Sequence, residues 1–168
     1  MKISTEQINE TMMAMIAFDQ GDAKRIQHFI KVYQFAALIA ESEQVDPDTV
    51  SVIKVAAILH DIGIHPSEER YGDCNGKHQE ELGPQYARKL LAAFSWAEES
   101  FVERVCYLIG HHHTYTNVEG IDYQILIEAD FLVNAYEDAL PAESIQKMRT
   151  GIFRTKTGCG LLEMMYER

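Results

Sequence analysis

The chain has 168 residues and carries 15 lysines and arginines against 26 aspartates and glutamates, a formal net charge of −11. With 46% hydrophobic and 24% charged residues, the composition is typical of one folded domain and excludes a disordered or collagen-like chain. The acidic balance disfavours a nucleic acid duplex as partner, because duplex binding draws most of its affinity from basic side chains on phosphates. No apolar run approaches the roughly 20 residues of a membrane-spanning helix, so no membrane partner is expected.

The first residues and the cysteines predict a cytoplasmic protein. The chain begins with a polar helical segment and shows no apolar signal region. The three cysteines, Cys74, Cys106 and Cys159, are odd in number and far apart. This spacing argues against a disulfide framework and against a thiolate zinc site, so we expect a reduced setting.

Helical periodicity dominates the first half of the chain. The spacing of apolar residues predicts helices over residues 5 to about 20, 22 to about 44, and 46 to 63. Gly63 is expected to end the third helix. The following segment, residues 65 to 77, is rich in glycine, asparagine and aspartate and predicts an irregular loop that forms a lid or a site wall.

The same pattern continues in the second half, without repeats or linkers. A kink or a second helix start is expected at Gly83-Pro84, and Ser95 is expected to cap the next helix. The predicted helices there cover residues 78 to 94, 95 to 112, 123 to 138, a stretch from 141, and 161 to 166. The sequence therefore predicts a single all-α domain over residues 1–168, a compact bundle of about seven or eight helices.

Several polar residues occupy helical positions where an apolar side chain facing the core is expected. His28, His60 and Asp130 each lie on an apolar helical stripe. A buried imidazole needs a partner, and a bare buried carboxylate is costly. A metal ion bound by these three residues and by Asp61, which follows His60 at the helix end, would satisfy all four. The alternative for each residue alone is a hydrogen-bonded core histidine or a capping aspartate.

The run Ala-Ile-Leu-His-Asp-Ile-Gly at residues 57–63 ends an apolar helix, with His28 before it and Asp130 after it. In this order the residues resemble the HD-domain superfamily of metal-dependent phosphohydrolases, most strongly over residues 22–138. The resemblance implies an all-α HD domain in which His28, His60, Asp61 and Asp130 bind one metal ion. It also implies hydrolysis of a small phosphate ester or anhydride, in the first place a nucleotide, by metal-activated water.

Two further features resemble the binuclear branch of that family. His78 matches an intermediate histidine of the branch, and the triplet His111-His112-His113 matches a later one. In that branch Asp61 bridges two metal ions, and the second ion is bound by His78 and one member of the triplet. His112 is the first choice because it continues an apolar helical face, and His111 is the second. His113 is expected to face solvent or substrate. The alternative for His78 is a surface histidine, and the alternative for the triplet is a solvated helix end.

Arg25 lies three residues before His28, where an arginine that contacts phosphate is common in the family. Its alternative role is an ion pair with Asp22 or a nearby glutamate. The resemblance thus implies catalytic roles for Arg25 and for Asp61, which would bridge or orient the nucleophile. The lysine that follows His-Asp-Ile-Gly in many binuclear members is missing, which leaves His65 as a candidate substitute. His65 or a histidine of the triplet is also the candidate to protonate the leaving group.

Other functions fit the same residues. A di-iron oxygenase of the HD type would use a similar ligand set, and a catalytically silent nucleotide-binding module would keep the fold without turnover. The Gly-Tyr-Pro motif of cyclic-dinucleotide phosphodiesterases is absent after the triplet, which argues against that activity. We expect one or two divalent ions, with Mn, Fe, Ni, Zn and Mg as candidates, and a small-molecule phosphate as substrate. A homodimer is the commonest assembly for a small enzyme, and the sequence leaves the oligomeric state open.

Overall fold

Helices account for most of residues 1–166, the part of the chain that the computed structural model describes. Within these residues there is no strand, so the prediction of an all-α fold is confirmed, and no helix is both long and apolar enough to cross a membrane. The helices are α1 (Thr5–Phe18), α2 (Ala23–Ser42), α3 (Pro47–Leu59), α4 (Ile64–Tyr71), α5 (Gly76–Leu91), α6 (Glu99–Ile109), α7 (Ile121–Glu137), α8 (Ala142–Gly151) and α9 (Lys156–Tyr166).

Short-range signals set several of the helix starts. Ser4 caps α1 and forms a capping box with Gln7. The Asp46 side chain accepts hydrogen bonds from two backbone amides of α3, which begins at Pro47. The prediction that Ser95 caps α6 is wrong, because the helix begins at Glu99 and Glu98 stands at the cap. The last helix begins at Lys156, earlier than predicted.

The centre of the molecule is formed by α2, α3 and α7, with α2 packed against both of the others. Large side chains from all three are fully buried, including Phe29, Leu59 and Leu126. Burial of such a side chain stabilises the fold by about 1.5–3 kcal/mol. His28 lies on α2, Asp130 lies on α7 and His60 directly follows α3, so part of the candidate site is built on these three helices.

The predicted loop over residues 65–77 is wrong in its first half. Residues Ile64–Tyr71 form α4, whose first turn buries Pro66 and Ser67. A proline is tolerated there because a helix's first amides have no intrahelical partner. The helix ends at Gly72, which has a left-handed φ of 77°. The irregular segment is therefore confined to a few residues before α5.

Gly63 has a role different from the predicted helix stop. The third helix already ends at Leu59, and Gly63 precedes α4 with an ordinary φ of −76°. A Cβ added at Gly63 would lie 2.8 Å from the Gln79 carbonyl oxygen and 2.9 Å from the Gly83 nitrogen. The glycine thus allows the segment after His60-Asp61 to lie directly on the backbone of α5, which is one continuous helix through Gly83-Pro84.

Candidate metal centre

Three buried side chains from different helices converge at one point. His28 lies on α2, His60 directly follows α3, and Asp130 lies on α7. The two Nε2 atoms are 3.2 Å apart, and they lie 3.2 and 3.3 Å from Oδ1 of Asp130. Three donor atoms within this distance of one another form a potential binding site for one metal ion.

Asp61 connects this group to a second one. Its Oδ2 atom lies 3.5 Å from Nε2 of both His28 and His60, while its Oδ1 atom lies 3.0 Å from Nε2 of His112. Asp61, His112 and His113 form a second group whose donor atoms could hold a metal ion. The Asp61 carboxylate therefore has one oxygen toward each group.

Hydrogen bonds fix the orientation of the three buried imidazoles. Nδ1 of His60 lies 2.9 Å from the Ala57 carbonyl oxygen, and Nδ1 of His112 lies 2.8 Å from that of Ile109. Since a carbonyl only accepts, both Nδ1 atoms carry the proton and donate it. Nδ1 of His28 lies 2.8 Å from a Glu137 carboxylate oxygen. In each ring the Nε2 lone pair is thus directed at the centre, as metal coordination requires.

The charges of the centre favour bound cations. Burial disfavours ionised carboxylates, yet His60 and His112 hold the pKa of Asp61 well below its ordinary value, and His28 and His60 do the same for Asp130. Burial also disfavours a charged imidazole, but the Asp130 and Asp61 carboxylates raise the pKa of His28 to about 9. Protons and a divalent cation therefore compete for the same nitrogen atoms, and the mixed nitrogen and carboxylate donors suit Mn, Fe, Ni or Zn.

Residues behind the ligands were missed by the sequence analysis. Asn134 donates a hydrogen bond of 2.9 Å from Nδ2 to Oδ1 of Asp130. Glu137 accepts from Lys31 as well as from His28. Asn134 and Glu137 follow Asp130 by four and seven residues, so they share its face of α7. That helical spacing is the signal that could have identified them.

Two predicted ligands lie elsewhere in the structure. Nδ1 of His78 lies 2.8 Å from Asp73, and its ring stacks on Tyr71 with 3.9 Å between centroids. His111 donates from Nδ1 to the Tyr107 carbonyl oxygen and stacks on the Tyr107 ring. Within residues 1–166, neither of them belongs to the two donor groups. Their assignment as metal ligands stays a prediction, without support from this arrangement.

His113 lies closer to the centre than expected. It was predicted to face solvent or substrate, yet it joins Asp61 and His112 in the second group. Its backbone amide donates to Glu80 at 3.0 Å, and its Nε2 atom lies 3.2 Å from Oε1 of Gln79. Burial and the neighbouring His112 lower the pKa of His113 to about 4, so the ring is neutral near pH 7.

Arg25 is paired with carboxylates at the edge of the centre. Its guanidinium forms a bidentate pair with Glu68 and lies 3.2 Å from Asp22. It also lies 3.2 and 3.4 Å from the two ring nitrogens of His65. The ion pair considered in the sequence analysis is thus present, and the contact with phosphate stays a prediction.

Comparisons with known proteins agree with this geometry. The profile of the HD domain family matches residues 25–147, a range that includes all members of both donor groups. A crystal structure titled as a predicted HD superfamily hydrolase from an uncultured Thermotogales bacterium is 31% identical in sequence, with a TM-score of 0.63. The match covers 96% of this chain and 83% of that one. A search of curated proteins finds no match. Fold, donor groups and similarities together support a metal-dependent hydrolase.

Proposed function

Because this chain belongs to the HD-domain family, we propose that it is a metal-dependent phosphohydrolase acting on small phosphate esters or anhydrides, in the first place nucleotides. The observation that carries the proposal is the pair of donor groups joined by the Asp61 carboxylate. Two ions held side by side suit the in-line displacement of a group on phosphorus. A small-molecule phosphate as partner and a reduced cytoplasmic setting belong to the same proposal.

The residues present fit this role. When bound, divalent ions would lower the pKa of a water molecule and neutralise the phosphoryl oxygens. His28, His60 and Asp130 would hold one ion, His112 and His113 the other. Asp61 would offer one carboxylate oxygen to each group of ligands. A positive side chain beside the ions would add to the attraction of an anionic substrate.

Arg25 supplies that charge at the edge of the site. Its bidentate contact with the Glu68 carboxylate has the same geometry as an arginine fork on a phosphoryl group. Glu68 is exposed, so its carboxylate can turn into solvent when a phosphate takes its place. We expect Arg25→Ala to weaken substrate binding and to leave the metal content unchanged.

Metal content tests the proposal first. Protein purified without chelator should hold about two equivalents of metal. We expect Asp61→Ala to lose most of both, and His112→Ala to lose about one. The control His111→Ala changes a neighbouring histidine outside the donor groups and should keep the full content. His78→Ala tests the branch assignment, and an unchanged metal content would remove His78 from the ligand set.

Phosphate release tests the reaction itself. Metal-loaded protein is assayed with nucleoside monophosphates, nucleoside triphosphates and 4-nitrophenyl phosphate in the presence of Mn, Ni, Zn or Mg. Release that disappears in Asp61→Ala supports the proposal. A fully loaded protein that releases no phosphate from any of these substrates contradicts it. Iron content together with oxygen consumption would favour the oxygenase, and protein without metal would favour the binding module.

A further inference from the structure

A buried carboxylate lies at the turn between α1 and α2. Asp19 is 2% exposed, and its Oδ2 atom has no hydrogen-bond partner among the described residues. Its Oδ1 atom lies 3.3 Å from Nε2 of His65. A buried carboxylate with an unpaired oxygen costs free energy, so its presence calls for a chemical explanation.

His65 lies at the start of α4, four residues after Asp61, and charged groups surround its ring. Besides Asp19, the Asp22 carboxylate lies 3.5 Å from Nε2 and the Glu68 carboxylate 3.6 Å from Nδ1. Arg25 covers the ring. The His65 side chain is 36% exposed, so it is open to a bound substrate while Asp19 behind it is not.

This cluster lies within the electrostatic field of the metal centre. Burial raises the pKa of Asp19 to about 6, and the charge of Asp61 is among the neighbouring charges that shift it. Arg25 links the two sites along the chain, because it lies one helical turn before His28 on α2. His65 itself follows the ligand Asp61 by four residues, at the start of α4.

We infer that His65 gives a proton to the leaving group and that Asp19 is the residue that positions it. The inference rests on the proposed phosphohydrolase function. As the water oxygen bonds to phosphorus, the bond from phosphorus to the leaving oxygen breaks, and the His65 proton passes to that oxygen. The products are an alcohol and phosphate. The attacking water gives one proton to solvent and His65 regains one, so the protons balance.

The other histidines near the centre are less suited to this step. His60 and His112 donate their Nδ1 protons to carbonyl groups, and their Nε2 atoms face the donor groups. His113 belongs to the second donor group. Among these residues, only His65 combines a partly exposed ring with a buried carboxylate partner.

The leaving group provides the test. The 5′-alcohol of a nucleoside monophosphate leaves only with a proton, whereas 4-nitrophenolate leaves without one. We therefore compare kcat/KM on adenosine 5′-monophosphate and 4-nitrophenyl phosphate for the parent, His65→Gln and Asp19→Asn. We expect about a 100-fold loss on the nucleotide for His65→Gln and about a tenfold loss for Asp19→Asn. Both variants should keep the activity on the aryl phosphate within about threefold.

A matched control is available in Asp22→Asn. Asp22 presents a carboxylate to the same nitrogen of His65 at 3.5 Å, and asparagine preserves its role as the cap of α2. This variant should leave the ratio of the two activities unchanged. Metal content and melting temperature are measured for every variant. Both His65→Gln and Asp19→Asn should keep the metal content of the parent, and Asp19→Asn should also match or exceed its melting temperature.

The possible failures are distinguishable. Equal loss on both substrates, or the same change of ratio in Asp22→Asn, overturns the inference and leaves the phosphohydrolase proposal standing. Loss of metal from Asp19→Asn also overturns it, because Asp19 would then support the centre itself. A metal-loaded parent protein that hydrolyses neither substrate contradicts the proposed function, and the inference falls with it.

Discussion

Replacing Gly63 with alanine tests how closely the segment after the metal ligands is held against α5. The new Cβ would lie 2.8 Å from the Gln79 carbonyl oxygen and 2.9 Å from the Gly83 nitrogen, both of them backbone atoms. Because the φ of −76° is one that alanine adopts freely, the contact alone decides the outcome.

The magnitude follows from these two distances. An ordinary contact is about 0.5 Å longer, so two backbone segments must separate by that amount, and overpacking of this kind costs about 1–3 kcal/mol. Asp61 lies two residues before Gly63, so the displacement also reaches a metal ligand. We expect a free energy of unfolding lower by about 1–3 kcal/mol and weaker metal binding.

Urea denaturation of the metal-free protein measures the first effect, and a metal titration measures the second. The matched control is Gly160→Ala, since a Cβ at that position inside α9 meets nothing within 4 Å. This variant should be more stable by about 0.5–1 kcal/mol, because alanine is the better helix former. If the free energy of unfolding of Gly63→Ala lies within about 0.5 kcal/mol of that of the parent, the packing argument is refuted.

Three more changes have defined outcomes. Glu137→Gln should lower metal affinity by roughly 10–100-fold, measured by calorimetric titration, because His28 loses its charged acceptor. Glu128 is fully buried and accepts hydrogen bonds from two backbone amides and a hydroxyl of residues 154–155. Glu128→Gln should lower the free energy of unfolding by about 2–3 kcal/mol in urea, and a smaller change would contradict this account. Burial raises the pKa of Asp19 from 3.8 to about 6. Between these two pH values the folded protein binds a proton at Asp19 that the unfolded chain has released, so the free energy of unfolding falls as pH rises through this range. Asp19→Asn should therefore gain up to about 3 kcal/mol over the parent between pH 4 and pH 7, and parallel pH profiles would contradict it.

The sequence predicted the first donor group because its signal is local. A histidine or an aspartate on an apolar stripe stands out within one helix, which is why His28, His60 and Asp130 were found. His112 was found by extending the face of α6. His113 does not continue that apolar face, and α6 has already ended at Ile109, so the periodicity does not predict its direction. Its position depends on hydrogen bonds to α5, a contact distant in sequence.

The composition around α4 is misleading for a related reason. The glycine, asparagine and aspartate residues that suggested a long loop lie in residues 72–76, after the helix. The helix itself is polar, and only its first turn is buried. Asp19 was missed because an aspartate at a helix end is ordinarily a surface residue. Its burial arises from packing around the turn before α2.

Two kinds of contact position the residues of the metal centre: local hydrogen bonds and the packing of distant helices. His60 and His112 are oriented by carbonyl groups three residues earlier, so these rings are set once their own helix ends form. His28 and Asp130 meet only after α2 has docked on α7. A bound ion would therefore cross-link segments far apart in sequence, and a chain that has lost this docking could not retain it. The metal content of a preparation would then also measure the fraction of molecules that are correctly folded.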